Sequence, residues 1–539
     1  MNSDMSVESV DQSPPLAALT RSRTVDDVRS VDRRGNSILV VAVGMSTLLT
    51  FLPALGLGFV EWDDFANFVT NFQYRGLTLD HLHWMLTSVR GGHWIPATWA
   101  TFGLDHAVWG MDPFGYHLTN VLLHSTNAIV FFFLARWLLR AAIPSMSATA
   151  LQTGAGAAAL LFALHPLRVE SVAWITERRD VLSGLFWMLA ILAYLRAPER
   201  SNKKAGGWKL LSLACYLLAV MAKSITVTLP VVLLILDVYP LQRHRAGRGR
   251  LLAEKAPYLP IMLFAVFMAF FAAQAGGYLT SLDRLSLVER IAVTAYSLWF
   301  YVSTTVAPLT LSPLYELPPS LRAAASRFIV PVLMVIVITV CALVFRRRWP
   351  ALLAAWMAYA IMLSPVSGML HNGSQIVADR YSYLSCLPWA LLFGAFVALV
   401  ADRTRAAAGH SMVWRMAGVS CLVGLAVLPV LTWRQLPVWR DGETLWPYTL
   451  AVDPDCSMCH YYYGQYLRNR DRPALAVDHL SRAAELRPAL GKLAVFRLNR
   501  GLAYLATGDI QGAERDLAVA RLVAPALADD VAPAFVVEW

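Results

Sequence analysis

Residues 38–60 form an apolar run of roughly 20 residues, long enough to cross a bilayer as one helix. It is the first of many such runs in the chain. Further candidate spans begin near Tyr116, Ala150, Val181, Trp208, Ile225, Ala256, Phe328, Pro350, Leu384 and Met412, each set off by a charged or turn-rich break. Together they predict about eleven crossings. Of the 539 residues 57% are hydrophobic and only 15% charged, and the mean hydropathy is +0.50, far from the balance of a soluble protein. The formal charge of +10 is spread over short basic clusters between apolar runs, so it reads as a topology signal rather than as a nucleic-acid surface.

Arg21, Arg23, Arg29, Arg33 and Arg34 precede the first run, and residues 1–32 are polar, without the apolar core and cleavage site of a signal peptide. The first span is therefore expected to be an uncleaved anchor with a cytoplasmic N-terminus. Basic clusters at Arg136 and Arg140 and within 196–204, 243–250, 346–348 and 403–415 then share that side, provided that 290–308 does not cross. That segment is expected to be re-entrant or to lie along the outer interface. An odd number of crossings leaves the C-terminal region outside. Three regions follow: a polar cytoplasmic tail (1–35), a polytopic membrane domain (36–435) and a less hydropathic region (436–539).

The last region carries a repeat. Gly464, Ala476, Leu480, Ala483 and Pro488 recur as Gly501, Ala513, Leu517, Ala520 and Pro525, the small and helix-ending positions of a helix-turn-helix unit about 34 residues long. These read as tetratricopeptide repeats. With Pro454 one unit earlier, they predict roughly two and a half units and a concave surface for a protein partner, or else a passive cap or dimer contact.

Carboxylates stand where the first span meets water: Glu61, Asp63 and Asp64, around Trp62. A carboxylate there stays ionised at little cost and can take a proton from a hydroxyl while the bilayer presents a lipid-borne co-substrate. The alternative is an interfacial belt, Trp62 at the headgroups and the acids in water. A second cluster, Glu170, Glu177, Arg178, Arg179 and Asp180, lies between two spans, where charges are expected to pair or to face a watery cavity. Arg168, Arg178 and Arg179 suit a phosphate through bidentate guanidinium contacts, or else form an internal ion-pair network. Lys223, where two short spans meet, and Arg380, after Asp379, suit phosphate contacts too. Their alternatives are a topological bend and an Asp379–Arg380 anchor.

His93, His117, His124, His165 and His371 are expected near the same face, without metal-ligand spacing, so no metal is assigned. Cys456-Ser457-Met458-Cys459-His460 fits the pattern of c-type haem attachment. A covalent haem is hard to seat in a small helical array, so a local disulfide stands ahead of it, and two free or partly buried thiols ahead of both.

These residues together resemble the transmembrane and tetratricopeptide-repeat O-mannosyltransferases and their bacterial relatives, of the type C glycosyltransferase kind. The resemblance runs over about 59–525. Its most specific stretch is His165-Pro166-Leu167-Arg168-Val169-Glu170-Ser171-Val172-Ala173-Trp174, continuing through Glu177, Arg178, Arg179 and Asp180. Supporting blocks are Glu61-Trp62-Asp63-Asp64, His93-Trp94-Ile95-Pro96, His117-Leu118-Thr119-Asn120 with His124, Met221-Ala222-Lys223-Ser224 with Thr228-Leu229-Pro230, and Ala378-Asp379-Arg380-Tyr381.

The resemblance implies an all-α fold: a polytopic membrane domain of the type C kind followed by a tetratricopeptide α-solenoid. It implies transfer of a sugar, mannose in the eukaryotic relatives, from a polyprenyl-phosphate carrier to a protein or glycan hydroxyl on the extracytoplasmic face, usually with inversion. Asp63 is the favoured base, with Asp64 orienting the acceptor and Glu61 able to share the work. Arg168, Arg178, Arg179, Lys223 and Arg380 would meet the carrier phosphate, and His93, His165 and Glu170 would contact the acceptor or hold the site's shape. Monosaccharide-phosphate users generally need no metal, though the acids keep a divalent cation open. The short Arg-rich loops suggest a bacterial inner membrane with periplasmic repeats. Non-catalytic alternatives are a membrane scaffold that recruits envelope proteins through its repeats and a transporter of lipid-linked sugar.

Overall fold

The computed structural model describes residues 37–197, 204–246, 248–277, 285–321, 324–369, 373–406 and 412–524. The basic tail, His371 and Pro525 lie outside the described residues. In chain order the helices are α1 (Ser37–Gly56), α2 (Leu79–Thr87), α3 (Pro96–Trp109), α4 (Pro113–Ala142), α5 (Ala148–Leu164), α6 (Val169–Ala173), α7 (Arg178–Arg196), α8 (Lys204–Ala222), α9 (Leu229–Val238), α10 (Arg248–Lys255) and α11 (Leu259–Ala275). They continue as α12 (Leu287–Val306), α13 (Ser326–Val344), α14 (Pro350–Leu363), α15 (Ser382–Ser385), α16 (Leu387–Ala406), α17 (Met412–Gln435), α18 (Gly442–Val452), α19 (Ser457–Arg468), α20 (Pro473–Leu486), α21 (Ala494–Thr507) and α22 (Ile510–Val523). Two short strands, β1 (Tyr315–Glu316) and β2 (Gln375–Val377), pair antiparallel, with Tyr315 opposite Val377.

The fold is all-α and polytopic. Among the described residues six helices are long and apolar enough to span a bilayer: Ser37–Gly56, Pro113–Ala142, Leu251–Ala275, Ser326–Arg347, Leu387–Arg405 and Met412–Trp439. A seventh candidate, Ala148–Leu164 with Pro166–Ala173, bends by 56° at its break. The apolar stretches Gly206–Ala222, Ser224–Val238 and Pro350–Val366 are also helical but shorter.

Small residues bring two of the long helices together. A Cβ on Gly154 of α5 would stand 2.4 Å from the Gly394 carbonyl oxygen of α16, and one on Gly394 would stand 2.5 Å from that of Gly154. Ala158 and Ala398 line the same crossing, so the backbones touch and dispersion replaces the hydrophobic drive that lipid does not supply. Polar groups in the spans are satisfied locally: the Thr47 hydroxyl donates to the Val43 carbonyl and that of Thr50 to Ser46, each at 2.7 Å.

The repeat helices stack as two hairpins, α19 with α20 and α21 with α22. Gly464 lets Leu480 approach to 2.7 Å of its Cβ position, and Gly501 receives Leu517 in the same way at 2.7 Å. The interval between these two crossings exceeds the expected ~34 residues, and the connection from α20 to α21 carries an extra 3₁₀ turn, Leu490–Lys492. Cys456 and Cys459 form a disulfide across the first turn of α19, with Cα atoms 5.3 Å apart. This corrects the preference for free thiols. Cys456 caps α19 and Cys459 lies one turn on, so the helix itself brings the sulfurs within reach.

The repeats dock on the membrane domain. Ser457 donates its hydroxyl to Glu316 (2.6 Å), Arg487 pairs with the same carboxylate (3.0 Å), and the Gly58 N–H donates to the Arg440 carbonyl (3.2 Å).

Candidate active site

The loop after α1 leads into a single π-type turn, Phe65–Val69, and directs its acids three ways. Asp64 points inward: its carboxylate accepts N–H bonds from Val60 and Thr176 (both 3.0 Å) and the Thr176 hydroxyl (2.6 Å). It fastens the loop to the turn Ile175–Glu177. Burial outweighs these donors and raises its pKa to about 7. Glu61 turns toward the repeats and pairs with Arg470 at 2.6 Å. Burial raises its pKa and Arg470 opposes the rise.

Asp63 alone of the three is exposed. Its pKa is nonetheless raised, because the desolvation imposed by the surrounding chain outweighs the attraction of Arg179 and Arg380. His93 faces the same groups. It is delivered by a two-residue turn in which Gly91 and Gly92 take φ of +56° and +74°, closed by paired Arg90 and His93 backbone bonds of 3.0 Å. Burial, with Arg179 and Lys223 adding to it, holds His93 well below the usual imidazole range, so the ring is neutral.

Behind Asp63 an ion network gathers on Glu177. Its carboxylate takes Arg179 (2.5 and 3.2 Å), Lys223 (2.8 Å) and Arg380 (3.2 Å). Burial opposes its ionisation, but Arg179, Lys223 and Arg380 together win and hold its pKa well below the usual range. Lys223 also pairs with Asp180 (2.7 Å), whose other oxygen accepts the Ser171 hydroxyl (3.1 Å). Glu170 accepts the Arg380 N–H at 2.7 Å and pairs with its guanidinium. Cations from α7, from the segment before α9 and from the segment before α15 thus meet on Glu177, and two of them, Arg179 and Arg380, also attract Asp63.

The remaining predicted residues have other neighbours. Arg178 is fully buried: it donates to Asn120 (2.8 Å) and to the Tyr116 carbonyl (2.7 Å) and pairs with Asp105. Arg168 is buried under the Phe162 and Tyr383 rings, 5.5 and 5.7 Å from their centroids. His165 donates from Nε2 to the Thr305 carbonyl (3.1 Å) and accepts the Leu167 N–H at Nδ1 (3.2 Å), joining α5 to α12. His460 bonds His479 (2.8 Å) and the Pro454 carbonyl (3.1 Å), and its neighbouring cysteines are joined to each other. Among the described residues no group of three or more His, Cys, Asp or Glu is placed to hold a metal ion.

Sequence reasoning missed Thr176 and Asp105 and gave Asn120 no role, though these residues fix Asp64 and Arg178. Their signal is only proximity across the fold, since Asp105 and Asn120 lie in other helices.

Comparison with curated proteins bears on this arrangement. Over 435 residues the chain is 23% identical to protein O-mannosyl-transferase TMTC1 of Homo sapiens, covering 72% of this chain and 47% of that protein. It is 33% identical over 186 residues to Tmtc1 of Drosophila melanogaster (33% of this chain, 20% of the relative) and 32% identical over 150 residues to human TMTC2 (28% and 17%). The chain is thus similar, over its membrane part above all, to proteins named protein O-mannosyl-transferases. It spans about half the length of the curated relatives it matches, or less. No protein-family model and no solved structure matches it.

Proposed function

We propose that the chain is a membrane glycosyltransferase that moves a sugar, mannose by analogy with its named relatives, from a polyprenyl-phosphate carrier to a protein hydroxyl on the extracytoplasmic face. The observation that carries this reading is Asp63, accessible and facing Arg179 and Arg380, while Asp64 and Glu61 are occupied elsewhere.

Inverting transfer needs one group to take a proton and others to receive charge. Asp63 accepts the proton of the acceptor O–H, the freed oxygen pair attacks the anomeric carbon, and the carbon–oxygen bond to phosphate breaks on the opposite face. The electron pair stays on the phosphate, whose added negative charge is met by Arg179, Arg380 and Lys223. These cations are held by Glu170, Glu177 and Asp180 before the carrier arrives, so they are ordered in advance. The raised pKa of Asp63 makes it a stronger base than an aspartate free in water.

Deeper in the bundle an apolar cavity of about 190 Å³ lies among α4, α7, α9, α14 and α16, lined by Phe131, Trp187, Ile191, Leu236, Met362 and Leu391 among others. Three of its walls are α7, which carries Arg179, and α9 and α16, the longer helices that follow Lys223 and Arg380 in the chain, which suits a molecule with an anionic head and a hydrocarbon tail.

Intact-mass glycoproteomics of cells lacking the chain against their parent tests the proposal and reads both sugar mass and acceptor. Loss of a hexose from defined proteins is expected, restored by the wild-type chain but not by Asp63→Asn. Unchanged glycoproteins would sink the reading.

A further inference from the structure

The repeat helices reach the ion network through a continuous aromatic contact, and its centre is Trp174. This side chain is 1% exposed, and its indole N–H finds no acceptor among the described residues. Its interactions are through its faces. One neighbour is Trp62, the residue before Asp63, with ring centroids 4.7 Å apart and planes 12° from parallel. Another is Trp439, in the turn that leads into the repeats, at 5.4 Å and 27°. The Arg380 guanidinium lies 5.5 Å from the same indole.

The backbone of Trp174 belongs to the network as well. Its N–H donates to the Glu170 carbonyl (3.3 Å), and its own carbonyl accepts the Glu177 N–H (3.0 Å). Glu170 and Glu177 are the two acids that hold Arg380. Trp62 continues the contact outward, against Trp446 (5.4 Å) and Tyr462 (5.7 Å) of α18 and α19, which stack on each other at 5.2 Å and 21°. The base-bearing loop, the cation and the repeat domain therefore press on one buried indole.

We propose that Trp174 is a positioning residue through which the repeat domain sets the geometry between Asp63 and Arg380, so that the repeats govern turnover and not only acceptor capture. The proposal rests on the glycosyltransferase reading. Close-packed aromatic rings have few alternative arrangements and transmit a displacement instead of absorbing it. Removing Trp439 leaves the outer side of Trp174 unsupported, and Trp62 and Arg380 lose their common reference.

The test uses the full-length chain in lipid nanodiscs, polyprenyl-phosphate mannose as donor and a short hydroxyl-bearing peptide as acceptor. Trp439→Leu is expected to lower kcat about 10-fold with the acceptor KM within about 2-fold. Trp439→Phe, which keeps a stacking ring, should recover most of the loss. In a Trp174→Leu background, Trp439→Leu should add nothing further, because the path is already cut. A rise in KM with kcat unchanged, or strictly additive losses, would overturn the proposal while leaving the transferase reading intact.

A second measurement needs no turnover. With 5-fluorotryptophan incorporated and the Trp62 signal assigned through Trp62→Phe, Trp439→Leu should displace the Trp62 fluorine resonance in the Trp174 chain and leave it unmoved in the Trp174→Leu chain. An unmoved resonance in both overturns the coupling, whether or not the wild-type protein transfers mannose.

Discussion

Two adjacent aspartates with the same side chain have different surroundings, and burial divides them. Asp64 is closed in by Val60 and Thr176, whereas Asp63 remains exposed. Asp63→Asn should reduce turnover by at least ~100-fold, the scale of losing a general base, with carrier binding little changed; near-normal turnover would remove Asp63 from that role. The pH dependence has a definite sign. Because the Asp63 pKa is raised by burial, kcat/KM should climb with pH through a limb above the ordinary aspartate value of about 3.9. A limb at or below that value would contradict the assignment. Asp64→Asn should act on the frame instead. It sets an amide NH₂ against either the Val60 N–H or the Thr176 donors, and the orphaned contact should cost about 1–3 kcal/mol, read as a lower unfolding midpoint in detergent.

Elements in this chain are held by what their side chains leave out as much as by what they add. The α5–α16 crossing is made by Gly154 and Gly394, and a Cβ at either would fall inside van der Waals contact of the facing carbonyl. Gly154→Leu should therefore push the helices apart and destabilise the membrane domain by about 1–3 kcal/mol or more, seen as earlier thermal aggregation of the purified protein. Retention of the wild-type midpoint would show that the crossing yields easily. The broken α5–α6 segment has a different cause. Pro166 cannot supply an N–H, and His165 turns outward to bond α12 and the following turn, so the chain bends by 56° and brings Glu170 under Arg380. The apolar periodicity of these helices was legible in the sequence, whereas their partners were not, because the same apolar run packs equally well against lipid or another helix.

For the whole molecule we propose an odd number of crossings, with α12 not crossing and the repeats on the side opposite the basic loops. A reporter placed at Gly247, outside the described residues, should be cytoplasmic, while one fused after Trp539 should be extracytoplasmic. The same side for both would overturn this threading. The placement of α12 bears on it directly: its Tyr301 and Thr305 bond Ala378 and His165, so its C-terminal end lies near the ion network.

The sequence alone determined the helical membrane class, the repeat crossings at Gly464 and Gly501, and the set of charged residues from which the ion network is built. Those features are local: hydropathy, spacing and motif are properties of neighbouring residues. It did not determine which of those charges share a site. Arg178 and Arg179 are adjacent, yet successive positions on a helix point about 100° apart, so one is buried against Asp105 and Asn120 and the other reaches Glu177. The tertiary structure decided that sorting, and with it the separation of Asp63 from Asp64, the closing of the Cys456–Cys459 disulfide and the docking of the repeats on Trp174 through Trp439. Burial and partner choice depend on residues far away in sequence, and only the packed chain brings those together.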